Sequence, residues 1–188
     1  MVVDMAAEAM HPLPVRPLRV SGQGIVLRAF NDSDLPRLRE AFADVDIRQW
    51  NPVPHRTEEI VAWRDHRNDW SAGDHASWAI GAIDGQLLGS VSLHHIDWNQ
   101  RQFEVGYWVA PWGRRQRVGV SAVVAAIEYA FTTWTMHRAY LYHSVHNFPS
   151  CALALSAGMR QEGTLLQSFR YADGTYHDEH LHARLASE

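Results

Sequence analysis

The chain has 188 residues, of which 46% are hydrophobic and 20% charged, a composition typical of one folded globular domain. Its net charge of −4 and isoelectric point near 6.3 argue against a general nucleic-acid-binding or membrane-surface protein. A single cysteine excludes an internal disulfide framework, and the absence of lysine excludes a lysine Schiff base and a Walker-type phosphate loop. We therefore expect no nucleic-acid or membrane partner and a reducing, cytoplasmic location.

The N-terminal part of the chain predicts an arm, a strand and two helices. Residues 1–20 are rich in proline, valine and arginine without periodicity, which indicates a loose arm before a single domain over residues 21–188. A short apolar stretch over residues 24–28 is suited to a first strand. Candidate N-cap residues at positions 31–34 predict one helix, and acidic residues after Thr57 predict the start of another.

The middle of the chain predicts three antiparallel strands. Apolar residues alternate over residues 78–82, and Asp84 followed by Gly85 is typical of a hairpin turn. A partner strand is predicted over residues 87–96 and a third over residues 103–109, with a polar turn between them. Consecutive strands joined by such short turns form an antiparallel meander.

The pattern changes after Val109. An arginine-rich loop over residues 114–121 precedes apolar residues at helical spacing up to Trp134, and a strand over residues 139–145 follows. This strand–helix–strand crossover predicts one parallel pairing. Asn147 and Gly158 bound a short predicted helix, and two last strands flank a turn at residues 173–174. The predicted fold class is mixed α/β (α+β), with a mostly antiparallel sheet flanked by helices.

The loop over residues 114–121 has the features of an anion-binding site. The first N–H groups of a helix have no helical partner, the helix dipole adds positive potential, and Gly119 allows close approach of the backbone. Three arginines in the loop supply fork-shaped donors for phosphate oxygens. The alternative is a solvated basic loop that only caps the helix.

Three segments, in order along the chain, resemble motifs of the GCN5-related N-acetyltransferase (GNAT) superfamily. Residues 116–121 (Gln-Arg-Val-Gly-Val-Ser) resemble its Gln/Arg-x-x-Gly-x-Gly/Ala signature. Residues 104–109 (Glu-Val-Gly-Tyr-Trp-Val) and the helix from Asn147 through Ser150 to Gly158 are similar to segments of the RimJ/RimL-like branch, which acetylates ribosomal protein N-termini. The resemblance extends from about residue 24 to residue 185 and departs from the pattern at Arg117, Ser121, Ala154 and Met159.

The resemblance implies a GNAT fold and acetyl-coenzyme A, or another acyl-coenzyme A, as the co-substrate. Amides of the loop would hold the pyrophosphate, the Val109 N–H would bind the thioester carbonyl, and Asn147 would orient the cofactor or cap its helix. Trp50, His94 and Tyr107 are expected to line the acceptor pocket. The residues expected to bind the cofactor are Val109, Arg114, Arg115, Gln116, Arg117, Val118, Gly119, Val120, Ser121 and Asn147.

Acyl transfer to an amine needs a base for the ammonium and an acid for the departing thiolate, because their usual pKa values are about 10 and 8.5. Glu104, two residues before Gly106 on the strand that leads to the loop, is the candidate base, acting directly or through water. Ala154 stands where many members of the superfamily have a catalytic tyrosine, so Ser150 becomes the candidate acid. The alternatives are a solvated or arginine-paired glutamate and an ordinary helix-opening serine.

The histidines do not predict a metal site. Twelve are present, and His180 and His182 share one face of the last strand, but nothing in the sequence brings three or four ligands together. Cys151 is expected to be a helix residue without a histidine partner. We therefore expect no bound metal.

The sequence predicts an N-acyltransferase that moves an acyl group from acyl-coenzyme A to a primary amine in a ternary complex. The acceptor can be a protein N-terminus or a small molecule. Two alternatives stay open: a succinyl or other acyl donor, and a non-catalytic coenzyme A-binding module. The oligomeric state is also open, with a homodimer as one option.

Overall fold

An eight-stranded mixed sheet forms the centre of the molecule. The computed structural model describes the backbone of residues 18–20 and all of residues 24–188. The strands are β1 Leu18–Val20, β2 Ile25–Arg28, β3 Ala76–Ala82, β4 Leu87–Asp97, β5 Gln102–Val109, β6 Arg138–Ser144, β7 Arg160–Arg170 and β8 Tyr176–Leu185. The helices are α1 Leu35–Phe42, α2 Val45–Trp50, α3 Thr57–Asn68, α4 Val118–Thr133 and α5 Phe148–Ser156.

The strand order is β1-β2-β3-β4-β5-β6-β8-β7. Every neighbouring pair is antiparallel except β5 and β6, which are parallel and joined by α4. The predicted meander over β3, β4 and β5, the parallel crossover and the mixed, mostly antiparallel fold class are confirmed. No helix in the described part of the chain is both long and apolar enough to cross a bilayer.

The predicted N-terminal arm requires one correction. Residues 1–17 lie outside the described residues, but Leu18–Val20 form β1, in which Leu18 pairs with Leu27 of β2. The sheet therefore begins before residue 21, the predicted start of the domain. A three-residue strand is too short to show an alternating pattern, so periodicity could not predict it.

Two apolar cores, one on each face of the sheet, hold the helices in place. Trp78 packs in the core under α4, whereas its neighbour Ala79 packs in the core under α1 and α3. Side chains alternate between the faces of a strand, so both faces of β3 are buried. Burial of each large apolar side chain contributes about 1.5–3 kcal/mol. The buried residues of α4 are Val118, Gly119, Ala122, Val123, Ala126, Ile127 and Ala130.

The short helix α2 was not predicted. It begins after Asp44, whose carboxylate accepts a hydrogen bond from the Ile47 N–H at 3.0 Å, and it ends at Trp50. Six residues are too few for a helical repeat of apolar positions to stand out. Trp50 therefore lies at the end of a helix rather than in a loop between two helices.

The parallel strands β5 and β6 pair only at their first residues. Their register is Gln102 with Arg138, Phe103 with Ala139 and Glu104 with Tyr140. Both strands continue beyond these pairs, to Val109 and Ser144. The sheet therefore opens between them, and this opening positions the candidate site.

Candidate active site

A cavity of about 1320 Å³ lies at the opening between β5 and β6. Its wall includes residues 104–109 of β5, residues 141–143 of β6, and the first residues of α4 and α5. Trp50 and Asn51 at the end of α2, and residues of α3, complete the wall on the other side. Segments from residue 46 to residue 179 thus contribute to one cavity.

The Val109 N–H points into this opening. The next amide, of Ala110, donates to the Leu88 carbonyl of the β4 side at 2.8 Å. Successive N–H groups of a strand point to opposite edges, so the Val109 N–H faces away from β4 and toward β6. Because β6 is no longer paired with β5 at this point, the donor is available to a ligand oxygen in the cavity.

The loop before α4 has an unusual backbone. Arg115 and Arg117 have φ angles of 60° and 59°, in the left-handed region that favours glycine. Arg117 is the N-cap of α4, and the first helical bond runs from the Ser121 N–H to the Arg117 carbonyl at 3.0 Å. The amides of residues 118–120 thus remain without helical acceptors and can bind an anion.

The loop residues predicted to bind a cofactor divide into two groups. Arg115, Arg117 and residues 118–120 line the cavity, whereas Gln116 and Ser121 are absent from its wall. The Gln116 side chain instead donates to the Trp112 carbonyl at 3.0 Å. The Ser121 amide is used by the helix itself, as described above.

Arg114 is engaged elsewhere, contrary to the expectation that it is a free phosphate donor. Its guanidinium lies 2.5 Å from Asp44 and 3.1 Å from Asp46, at the start of α2. Two carboxylates already neutralise this cation. Arg114 lines the cavity, but its ion pairs with Asp44 and Asp46 connect α2 to the loop.

Gly119 packs closely against side chains of α5 and β5. A Cβ atom added there would lie 2.8 Å from Leu153 Cδ1 and 3.1 Å from Val109 Cγ2. The expected reason for a glycine was close approach to phosphate, whereas the absent side chain would point at α5 and β5. A β-branched residue would therefore strain the packing of α4 itself.

A β-bulge brings both neighbouring histidines of β4 toward Glu104. The register shifts between His94 and Asp97, and His95 has a φ of 47°. His94 is paired directly with Glu104, and His95 Nδ1 lies 3.0 Å from Glu104 Oε2. The extra residue of the bulge reorients the strand, so the two adjacent histidines do not simply alternate between its faces.

His94 is held neutral beside the half-buried cation of Arg67. Its Nε2 lies 2.7 Å from Ser92 Oγ, and Arg67 Nη1 lies 3.5 Å from both ring nitrogens. Burial, followed by the charge of Arg67, lowers the pKa of His94 to about 3. A Cβ at Gly106 would lie 2.8 Å from His94 Nε2, so the ring packs where only glycine leaves room.

Arg67 lines the cavity but was not predicted as a site residue from the sequence. Its guanidinium stacks 5.2 Å above the Trp63 ring, and burial lowers its pKa. Among residues 24–188, its Nε is buried without a hydrogen-bond partner, and it makes no ion pair with a carboxylate of that region. A helical arginine without a motif gives no signal in the sequence.

Ser150 lies against a tyrosine on the other side of β5. The Tyr107 O–H donates to Ser150 Oγ at 3.2 Å, and burial raises the pKa of Tyr107 to about 12. Asn147 Oδ1 accepts from the Ser150 N–H at 3.2 Å, which confirms Asn147 as the cap of α5. Ala154 is fully buried. Ser150 Oγ thus has a phenol partner on β5, Tyr107, although position 154 of α5 carries no hydroxyl.

The far wall of the cavity contains a buried carboxylate. Glu179 of β8 accepts from the Tyr171 hydroxyl and from Ser168 Oγ, both at 2.8 Å. Tyr171 packs edge-on against Trp50, with ring centroids 5.5 Å apart. The prediction placed Trp50 in the pocket but missed Tyr171 and Glu179, because strand β8 is 126 positions from α2 in the chain.

A second cluster lies between β6, β8 and α5. His143, Cys151, His180 and His182 each offer one ligand atom, and these atoms lie within 4.8 Å of one another. Cys151 Sγ is 3.9 Å from His182 Nε2. Burial lowers the pKa of His143 and of His182. The expectations that no histidines converge and that Cys151 has no histidine partner are therefore wrong.

The chain is similar in sequence to known acetyltransferases. The sequence model of the acetyltransferase (GNAT) domain matches residues 25–160. The chain is 31% identical to the putative ribosomal N-acetyltransferase YdaF of Bacillus subtilis over 164 residues, covering 82% of this chain and 87% of the relative. It is 29% identical to a spermidine N(1)-acetyltransferase of Vibrio cholerae over 161 residues, covering 82% and 88%.

The fold of this chain also resembles the folds of solved structures. Mycobacterium smegmatis RimJ in complex with CoA-disulfide superposes with a TM-score of 0.81 at 25% identity, covering 95% of this chain and 91% of that chain. Vibrio cholerae spermidine N-acetyltransferase in complex with CoA and spermine superposes with a TM-score of 0.75 at 22% identity, covering 87% and 96%.

Proposed function

Because this chain belongs to the acetyltransferase (GNAT) family and is an acyl-coenzyme A-dependent N-acetyltransferase, we propose that its cavity joins an acyl donor on the α4 side to an amine on the α3 side. The proposal rests on one observation above all. The Val109 N–H, Glu104 and Ser150 all border the opening between β5 and β6, yet they approach it from different directions.

The donor half is suited to a pyrophosphate and a thioester. The free amides of residues 118–120, with the exposed side chains of Arg115 and Arg117, bind the pyrophosphate. Gln116, Ser121 and Arg114 do not bind the pyrophosphate in this proposal. Gln116 and Ser121 stabilise the loop and the first turn of α4, and Arg114 holds the loop against α2. The Val109 N–H stabilises the oxyanion that develops on the thioester carbonyl oxygen when the amine attacks the carbonyl carbon.

Glu104 is the general base of this proposal. It lies on the face of β5 that carries Gly106 and Trp108, toward α3 and the incoming amine. It removes the proton from the ammonium, directly or through one water, and His95 stabilises the carboxylate between turnovers. The neutral amine then attacks the carbonyl carbon and the C–S bond breaks. The nitrogen loses its second proton to solvent, from which Ser150 regains the hydrogen that it gives to the thiolate.

Ser150 is the general acid, and Tyr107 positions it. Tyr107 donates its hydroxyl hydrogen to Ser150 Oγ, which leaves the hydrogen of Ser150 free to protonate the departing thiolate. The raised pKa of Tyr107 keeps the phenol protonated, and therefore a donor, throughout the physiological range. Asn147 fixes the backbone of Ser150 at the start of α5.

The acceptor half favours a peptide α-amine over a polyamine. Glu104 and Glu179 can attract the ammonium, but the guanidinium of Arg67 adds a half-buried cation to the same wall. A peptide offers carbonyl oxygens to this donor, whereas a polyamine offers only further positive charge. The aromatic wall of Trp50, Trp63 and Tyr171 can cover the first side chains of a peptide.

A coupled free-thiol assay tests the proposal. The purified chain is mixed with acetyl-coenzyme A and one of three acceptors: a peptide with a free α-amine, the same peptide blocked at its N-terminus with a free lysine side chain, and spermidine. We expect thiol release with the first peptide and, by mass spectrometry, an acetyl group on its α-amine. Succinyl-coenzyme A in a parallel series tests the alternative donor.

Two results would contradict the proposal in different ways. Coenzyme A binding without thiol release from any donor and amine would indicate a non-catalytic module. Preferred acetylation of spermidine would leave the enzyme class intact but overturn the peptide assignment and the role given to Arg67.

A further inference from the structure

The cluster of His143, Cys151, His180 and His182 is separate from the acid and base of the proposed reaction. It lies where β6 pairs with β8 and where α5 packs on both strands. His143 is paired directly with His180 in the register, so their side chains share one face, and His182 follows two residues later on that face. Cys151 reaches them from α5.

The tautomers of two of the rings are fixed by backbone carbonyls. His143 Nδ1 lies 2.8 Å from the Ser144 carbonyl, and His182 Nδ1 lies 3.3 Å from the Met159 carbonyl. A carbonyl can only accept, so each Nδ1 carries the hydrogen and each Nε2 presents a lone pair. This is the arrangement in which a histidine that binds a metal is oriented by its second nitrogen.

Two ring nitrogens of the cluster lack a hydrogen-bond partner within the described residues, whereas His182 Nε2 lies 3.9 Å from Cys151 Sγ. Within residues 24–188, His143 Nε2 and His180 Nδ1 are buried and make no hydrogen bond. His143 and His182 are 4% and 0% exposed, so water does not readily replace the missing partner. Buried polar atoms of this kind are rare in folded proteins, because each costs about 1–3 kcal/mol of desolvation.

We infer that His143, Cys151, His180 and His182 form a tetrahedral binding site for a zinc-class divalent cation. Three imidazole nitrogens and one thiolate are the donors that zinc prefers. With bonds of about 2.0–2.1 Å to nitrogen and about 2.3 Å to sulfur, such an ion separates its ligand atoms by roughly 3.3–3.6 Å. The present separations, 3.9 Å for Cys151 and His182 and up to 4.8 Å in the set, need only small side-chain movements.

The four protein ligands complete the coordination, so the ion has a structural role. Binding displaces the thiol proton of Cys151 to solvent and forms one sulfur–metal bond, and the neutral imidazoles add three nitrogen–metal bonds. The ion joins β6 and β8 to α5, the helix that carries Ser150 next to Cys151. It is not placed among the reacting groups.

The test is metal binding by the whole chain, independent of acetyl transfer. Protein freed of metal by a chelator is titrated with Zn²⁺ by calorimetry and with Co²⁺ by absorption spectroscopy. We expect one tight site per chain, intense tetrahedral Co²⁺ bands and a thiolate-to-Co²⁺ charge-transfer band. At a zinc concentration about a hundredfold above Kd, we expect Tm to rise by about 5–10 °C.

Matched variants localise the site. Cys151→Ser should abolish the charge-transfer band and weaken zinc binding at least tenfold, and His182→Gln should weaken it similarly. His137→Gln, which removes an exposed histidine outside the cluster, should bind like the wild type. Circular dichroism confirms that each variant is folded.

The Co²⁺ absorption spectrum of the wild-type protein tests the site even if a variant misfolds. Octahedral, thiolate-free Co²⁺ spectra, or zinc that binds only weakly and at several sites, would overturn it. Unchanged zinc affinity in a folded Cys151→Ser protein would do the same. None of these results bears on thiol release from acetyl-coenzyme A, so the proposed function is judged separately.

Discussion

The two halves of the cavity are built in different ways. The donor half consists of backbone amides, small residues and arginines from two segments, within residues 109–120 and residues 147–150. The acceptor half consists of side chains from α2, α3, β4, β5 and β8, among them Trp50, Arg67 and Glu179. A backbone site tolerates little change in chain geometry, whereas a side-chain site can be altered one group at a time. In the proposed function, the donor half holds the acyl group and the acid, whereas the acceptor half holds the base and selects the amine.

The donor half should show the largest catalytic effect. Ser150→Ala is expected to lower turnover by about 10²-fold at every pH, while coenzyme A affinity changes little, because the thiolate then departs without a proton donor. Ser187→Ala, at an exposed serine that is absent from the cavity wall, is the control and should keep wild-type turnover. If Ser150→Ala instead loses about 0.5–2 kcal/mol of stability and retains wild-type turnover per folded molecule, Ser150 is only a helix-opening residue.

The acceptor half should show a pH-dependent effect. Glu104→Gln is expected to lower turnover about 10²-fold near pH 6, and the deficit should shrink as the pH passes about 8, where a peptide α-amine is already neutral. Donor binding should be spared, and Glu58→Gln on the exposed start of α3 serves as the control. A pH–rate profile with unchanged height and shape would assign Glu104 a structural role.

Selection of the amine should depend on Arg67. Arg67→Gln is expected to raise the KM for a peptide about tenfold without raising the KM for spermidine, because the lost donor contacts only a carbonyl-bearing acceptor. The exposed Arg56→Gln change is the control. An equal rise in the KM for both acceptors would mean that Arg67 stabilises the pocket and does not contribute to the choice of substrate.

The half-buried histidine of the acceptor half, His94, should make the free energy of unfolding depend on pH. His94 has a folded-state pKa of about 3, below its ordinary value of 6.5, so the unfolded chain binds the extra proton first. The free energy of unfolding should therefore fall as the pH drops from about 6.5 toward 3, by at most about 1.4 kcal/mol per pH unit from this group. His94→Gln should flatten that slope in urea titrations and His137→Gln should not. The neighbouring charges of Arg67, His95, His75 and His66 act in the same direction on His94.

The donor half could be predicted from the sequence because its parts are local. The strand ending at Val109, the glycine-containing loop and the cap at Asn147 are each recognisable within a few residues. Details of their contacts could not be predicted. The pairing of Arg114 with Asp44 joins positions 70 residues apart, and the packing of Gly119 against Leu153 depends on how α4 meets α5.

The acceptor half and the histidine cluster could be predicted only in part. Glu104, His94 and Trp50 were expected in the site, but the β-bulge that reorients His95 has no signature in two adjacent histidines. The register that sets His143 beside His180 depends on pairing between β6 and β8, which are separated in sequence by α5 and β7. Long-range pairing of this kind is decided by the whole fold, and periodicity within a segment does not contain it.

Direct attack of the amine on the acyl donor in a ternary complex is the central claim, and initial-rate kinetics test it most directly. Acetyl-coenzyme A and the peptide are varied together, and the protein incubated with acetyl-coenzyme A alone is analysed by mass spectrometry. We predict intersecting double-reciprocal lines and no acetylated protein. Parallel lines together with an acetyl group on Cys151, the nucleophile beside Ser150, would contradict the account.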